Sequence, residues 1–324
     1  MRKRWLLWRT LLGLALGLAL LAWLLRGSDL RQAWAGLTQA RSLWVSLSLL
    51  VTLLTMAGKV ARWRALFPSA PRPSWGLLVR ALLVGQVTNA LLPARAGDVA
   101  RACVAGAGGQ TSRMTALGTV AAEKAFDVIF LLLGAGLAAL LTPLPPWLTG
   151  GLAGMAAVGG LLFVLAVALP ESRTVDWADR WGRRLPWGVG SGLGERVRRG
   201  LDGLVALRRP RTALVACAWS VPIWALSVAT NYLLFFAFDL RLSLGAALFL
   251  LVLLLVGVAP PSSPARVGVF HALAVVGLAT FGIEGPVALA YATVLHLIVY
   301  LPQIVLGVVA AGWLPVRRRE QRDG

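Results

Sequence analysis

Apolar runs at about residues 5–25, 43–58, 75–92, 114–142, 150–169, 212–237, 245–260, 266–282 and 286–313 divide this chain. A run of about 20 such residues is the length that crosses a bilayer's hydrocarbon core as an α-helix. With 58% hydrophobic and 14% charged residues, the chain is too apolar for a water-soluble domain. The expectation is an all-α polytopic membrane protein in a single integral membrane domain over residues 1–324. The net charge of +19, from 32 Lys and Arg against 13 Asp and Glu, raises nucleic acid as a partner. No basic recognition motif accompanies that charge, and in a membrane chain basic residues first mark cytoplasmic loops and anionic headgroups, so nucleic acid is set aside. Cys103 and Cys217 stand among small or apolar residues and imply neither a disulfide framework nor a metal site.

Loop charge sets the orientation. Residues 170–211 carry ten Arg against five acids and read as a cytoplasmic basic amphipathic segment, with Trp177, Trp181, Leu185 and Trp187 laid on anionic lipid; a solvated linker is the plainer alternative. Both termini are basic and read as cytoplasmic, as does the segment with Lys59, Arg62, Arg64 and Arg72. Arg2, Lys3, Arg4 and Arg9 before Leu11–Leu25 have the charge order of a signal peptide, but Leu24-Leu25-Arg26 is a poor cleavage site, so an uncleaved first span is expected. Residues 26–42 read as a milder amphipathic stretch on the outer face.

If 75–92 crossed fully, parity would put the ten-Arg segment outside. The conflict disappears if 75–112 enters and leaves on the cytoplasmic side, and if 245–282 likewise begins and ends outside. About six full spans and two re-entrant hairpins result, in two units of opposite orientation, 43–142 and 212–313. Inverted repeats with broken helices are a transporter pattern. Short tilted spans are the alternative.

Each hairpin turns at a Pro-Ala-Arg-x-Gly motif: Pro93-Ala94-Arg95-Ala96-Gly97 and Pro264-Ala265-Arg266-Val267-Gly268. Broken backbone at membrane depth is tolerated only where it is buried or lines a wet cavity, so the turns imply a polar cavity. Arg95 and Arg266 are its candidate phosphate ligands, because a guanidinium is a fork of donors matched to phosphate oxygens. The alternative for each is to cap a broken helix or to pair with a carboxylate. Arg101, Asn89 and His271 complete the candidate substrate set. Asp98, Glu123, Lys124 and Asp127 form the candidate charge-pair or gating set. Asp98 and Arg101 share a helical face, with N-capping as the plainer role for Asp98. Glu123 and Asp127 share another face within an apolar run, where charges are expensive and normally face partners or a water path; Arg95 or Arg101 is expected to meet them. A cavity-facing His271 could titrate; a packing histidine is commoner, and His296 and Tyr300 lie one turn apart on the last helix. Trp residues at span ends read as an interfacial belt. No zinc-protease, phosphate-loop or dinucleotide motif is present, so no catalytic residue, metal or cofactor is expected.

Arg62-Trp63, Leu92 to Arg101, Glu123 to Asp127 and Gly268-Val269-Phe270-His271 together resemble the lysylphosphatidylglycerol synthase transmembrane family, the flippase part of the multiple peptide resistance factor. That resemblance implies a phospholipid substrate, anionic lipid at the inner surface and the bacterial inner membrane. The chain ends at Gly324, so a stand-alone member without the soluble synthase domain is expected, and a homodimer is left open. His271 stands where relatives carry a Glu. The expected function is a lipid flippase; a membrane enzyme acting on a lipid phosphate and a non-transporting scaffold subunit are the alternatives.

Overall fold

The computed structural model describes residues 30–68, 72–91, 96–142, 146–168, 174–177, 179–180, 193–259 and 263–312. Every regular element among them is helical. The principal helices are α1 (Leu30–Gln39), α2 (Ser42–Leu66), α3 (Trp75–Leu91), α4 (Gly97–Ala107), α5 (Arg113–Leu141), α6 (Pro146–Ala168), α7 (Leu193–Arg208), α8 (Pro210–Ala237), α9 (Leu244–Gly257), α10 (Val269–Ala279) and α11 (Gly285–Gly312). Four of them, α2, α5, α8 and α11, are long and apolar enough to cross a membrane. The run at 150–169 is α6. The first expected span, Pro143–Pro145, the basic C-terminal tail and all of 181–192 lie outside the described residues.

Local chemistry explains the helix starts. Ser112 accepts the Thr115 N–H at 2.9 Å to open α5, and Ser243 accepts the Ala246 N–H at 3.2 Å to open α9. Pro210 stands in the first turn of α8, where its missing donor costs nothing.

Small and hydroxylated residues set the packing. Along α2 and α8, Thr52 meets Thr230 at 3.4 Å, Gly58 faces Ile223, and Arg62 donates to Ser220 at 3.0 Å. Rising numbers on one helix meet falling numbers on the other, so the two run antiparallel. The short helices pair in the same sense. Gly85 of α3 touches Gly97 and Arg101 of α4, while Gly257 and Gly277 let α9 and α10 close around Leu273 and Leu253. Each pair also packs on the other half of the chain: α3 on α11, and α9 on α5. Most of α9 is buried, including Phe249, Leu250, Val252 and Leu253. An all-round apolar helix of only 14 residues therefore serves as core, whereas α8 leaves Leu214 and Val221 exposed.

Two local expectations are corrected. Residues 59–66 are not a loop: α2 continues through them to Leu66, with Arg62 and Trp63 wholly buried. The Leu193–Arg208 part of the basic segment is not held by lipid alone. It docks as α7 on the first half of α5, through Gly200 and Gly203 against Gly118. On its exposed face Glu195 accepts from Arg198 at 2.8 Å and 3.0 Å and from Arg199 at 2.8 Å. Those two guanidinium donors hold the Glu195 carboxyl at about 2, well below the usual carboxylate range.

A Cβ on Gly203 would fall on the Thr115 carbonyl oxygen and 2.6 Å from the Thr119 nitrogen. Gly203→Leu should therefore lower stability by ~1–3 kcal/mol, read as a reduced unfolding midpoint of the detergent-purified protein. Gly150→Leu, with no atom within 4 Å of its added carbon, should leave the midpoint unchanged.

Candidate functional site

A buried ion network ties α2, α4 and α5 together. Arg62 has no exposed side-chain surface, and its Nη2 donates to Glu123 Oε1 at 3.2 Å and Asp127 Oδ1 at 2.6 Å. The 123/127 spacing is one helical turn, which is why a single guanidinium can reach both carboxylates. Arg101 Nη1 donates to the other Glu123 oxygen at 3.0 Å. Its Nε stands 3.4 Å from Asp98, and Lys124 Nζ stands 3.8 Å from the second Asp98 oxygen. Asp98 does not cap α4: the N-cap position is Ala96, and the carboxylate sits in the first turn among cations.

Trp63 supports the network. Its Nε1 donates to Thr119 Oγ1 at 3.0 Å, and the Arg101 guanidinium lies 5.0 Å from its ring centre. The start of α4 is held by Asn89, whose Oδ1 accepts the Gly97 N–H at 2.8 Å. Asn89 thus holds α3 to α4, and it also lines the cavity. Arg95 lies outside the described residues.

The second turn is held differently. Ala265 and Arg266 have left-handed φ of 49° and 59°, followed by Gly268 at 84°. Two consecutive non-glycine residues there are costly and persist only where their surroundings hold them. The restraints are visible: His296 Nε2 lies 2.8 Å from the Ala265 carbonyl oxygen, Ser263 Oγ donates to the Val267 carbonyl at 2.5 Å, and Arg266 Nη1 donates to Tyr300 Oη at 2.7 Å. His271 is buried in a ring cluster, its centroid 4.9 Å from that of His296 and 6.1 Å from that of Phe270. His271 is not part of the cavity wall described next.

The helices of the first hairpin and the second turn share one cavity of about 500 Å³. Gln86, Asn89, Asp98 and Arg101 come from the first hairpin, Glu123, Lys124 and Asp127 from α5, and Ala265 and Arg266 from the second turn. Lys59 of α2, Trp224 and Ser227 of α8, and Tyr300 and Gln303 of α11 close it. Of the nine candidate residues, seven line this space: Asn89, Asp98, Arg101, Glu123, Lys124, Asp127 and Arg266. Sequence reasoning missed Lys59, Arg62, Trp224, Ser227 and Gln303. The usable signal was the spacing of Lys59 and Arg62, three apart at the end of an apolar helix, which puts both on one face.

Chemically, the site is a half-polar chamber with more cations than carboxylates. Its neutral hydrogen-bonding groups come from both halves of the chain. The family model described as the lysylphosphatidylglycerol synthase TM region matches residues 10–307. No curated protein and no solved structure matches the chain.

Proposed function

We propose, because the chain belongs to the lysylphosphatidylglycerol synthase transmembrane family, that this multi-pass membrane protein is a phospholipid flippase of the bacterial inner membrane. The observation that carries the reading is Arg101 and Arg266, each from the hairpin of a different unit, lining one cavity. Helix length supports the hairpins as re-entrant. At ~1.5 Å per residue, α4, α9 and α10 with 11, 14 and 11 residues reach ~16–21 Å, short of the ~30 Å hydrocarbon core. The antiparallel α2 and α8, and the reciprocal packing of α3 on α11 and α9 on α5, are what an inverted repeat would give. Basic charge in the terminal segments and in residues 170–211 supports a cytoplasmic placement of both termini.

On this reading the headgroup enters the cavity while the acyl chains stay in the bilayer. Arg266 donates one nitrogen to Tyr300 and has no carboxylate within 4.0 Å among the described residues, so its remaining donors serve the lipid phosphate. The ion network supplies the moving part. Glu123 is shared by Arg62 and Arg101, and Asp98 by Arg101 and Lys124. A cation can therefore change carboxylate as access alternates, without ever being left bare in a medium of low dielectric constant. No nucleophile or cofactor is needed, and the site is read as one of transport, not catalysis.

The test is fluorescent-lipid translocation in proteoliposomes, with wild type and Arg266→Ala reconstituted at matched density. Wild type should move lipid, and Arg266→Ala should lower the rate by tenfold or more, since charge-assisted hydrogen bonds are worth ~1.5–3 kcal/mol. A wild type that moves no lipid from a broad headgroup panel, with or without a pH gradient, would sink the reading.

A further inference from the structure

The cavity's carboxylates are already occupied. Glu123 Oε1 and Oε2 are taken by Arg62 and Arg101, Asp127 Oδ1 by Arg62, and the two Asp98 oxygens by Arg101 and Lys124. Asp127 Oδ2 accepts no hydrogen bond from a cation among the described residues. The cations are not so occupied. Lys59 and Arg266 both line the cavity, and neither has a carboxylate within that distance among the described residues. The Nη2 of Arg101 is buried with no hydrogen-bond partner. Lys59, Arg62, Arg101, Lys124 and Arg266 thus face Asp98, Glu123 and Asp127.

Resting on the transport reading above, we infer that this cavity selects headgroups by charge: it takes an amine-free anionic phosphodiester and turns away headgroups bearing an ammonium group, with Lys59 and Arg266 setting the preference. A phosphate oxygen entering the chamber meets free donors on Lys59, Arg266 and Arg101. An ammonium group meets the same cations at close range and finds every carboxylate of the chamber already paired with Arg62, Arg101 or Lys124. Arg62 is locked in place by its own two carboxylates and Ser220 and does not act on the lipid directly. Gln86, Ser227 and Gln303 can serve hydroxyl groups of either kind of headgroup, so they do not discriminate. Specificity of this kind comes as much from what the site repels as from what it holds.

The experiment separates binding from movement. Full-length protein in detergent is titrated with short-chain phosphatidylglycerol, phosphatidylethanolamine and lysylphosphatidylglycerol of equal acyl length, with thermal stabilisation as the readout. The same three headgroups are then followed in proteoliposomes. Phosphatidylglycerol should half-saturate at a concentration about tenfold or more below that of the lysylated lipid, a difference of ~1.4 kcal/mol. Phosphatidylethanolamine should fall between them. Lys59→Gln and Arg266→Gln should each narrow the ratio, and a ratio measured within one folded variant does not depend on how much of that variant folds. Equal or tighter binding of the lysylated lipid overturns the selection, whatever is transported. Discrimination in binding without movement of any lipid leaves the selection standing and overturns the transport reading. Stabilisation by none of the three overturns both.

Discussion

Replacing Arg62 with methionine should destabilise the folded protein by ~3–5 kcal/mol, the cost of removing one partner from a buried ion pair. The methionine fills much of the arginine's volume, so a cavity is not the main loss. What remains is Glu123, whose side chain is 5% exposed, with one oxygen on Arg101 and the other stripped of its donor. Asp127, at 37% exposure, can take water instead and contributes less. Arg62 also loses its bond to Ser220, which ties the antiparallel α2 and α8 together. Arg62→Met should therefore give a strongly lowered unfolding midpoint in detergent, or no folded protein at all. Adding Asp127→Asn should recover part of the loss, because a neutral amide is far cheaper to leave without a cation than a carboxylate is. A midpoint for Arg62→Met within error of wild type would show that Arg62 does not hold the three helices together.

The second large effect is expected at Gly97. Its N–H donates to Asn89 Oδ1, and the α-carbon sits so close to α3 that an added Cβ would fall on the Gly85 carbonyl oxygen and 2.6 Å from the Asn89 side chain. Backbone cannot yield as a flexible side chain can, so Gly97→Val must push α4 away from α3. Overpacking at such a contact typically costs ~1–3 kcal/mol and sometimes more. The displacement would also carry Asp98 and Arg101 off the charge network, so lipid translocation should fall further than stability. Gly85→Ala should reproduce a milder version, since its Cβ would meet Arg101 Cβ and the Gly97 carbonyl oxygen, both at 2.9 Å. Gly76→Ala, on the same helix with no atom within 4 Å of its added carbon, should be silent. Wild-type translocation by a folded Gly97→Val protein would separate the first hairpin from function.

Much of this architecture was legible from apolar periodicity and helix breakers. The runs at 75–92, 245–260 and 266–282 became α3, α9 and α10, because prolines and a glycine-ended turn stop a helix wherever it lies. The proximity of Arg101 to Glu123 followed from the expense of leaving a charge unpaired in an apolar run. Other features were hidden for physical reasons. Lys59 and Arg62 end an apolar run and so read as a membrane boundary, yet the helix continues and its cations turn inward toward carboxylates sixty residues away in sequence. No local pattern reports a partner at that separation. The Gly200 and Gly203 spacing in a basic stretch reads as solvated or lipid-bound; only the facing Gly118 turns it into a packing surface. His271 was placed with the substrate residues because it follows the second turn by a few positions. The left-handed Ala265 and Arg266 bring Arg266 to the cavity, while His271 packs against His296.

Alternating access requires that the one cavity between the two hairpins be reached from both sides of the membrane. Ser227 lines that cavity from α8, and with the native thiols removed by Cys103→Ala and Cys217→Ala, a Ser227→Cys substitution places a single reporter in its wall. Membrane-impermeant maleimide should label this cysteine from either face of oriented vesicles, and excess short-chain phosphatidylglycerol should slow both reactions. Labelling from one face alone, unaffected by lipid, would contradict alternating access and with it the flippase account.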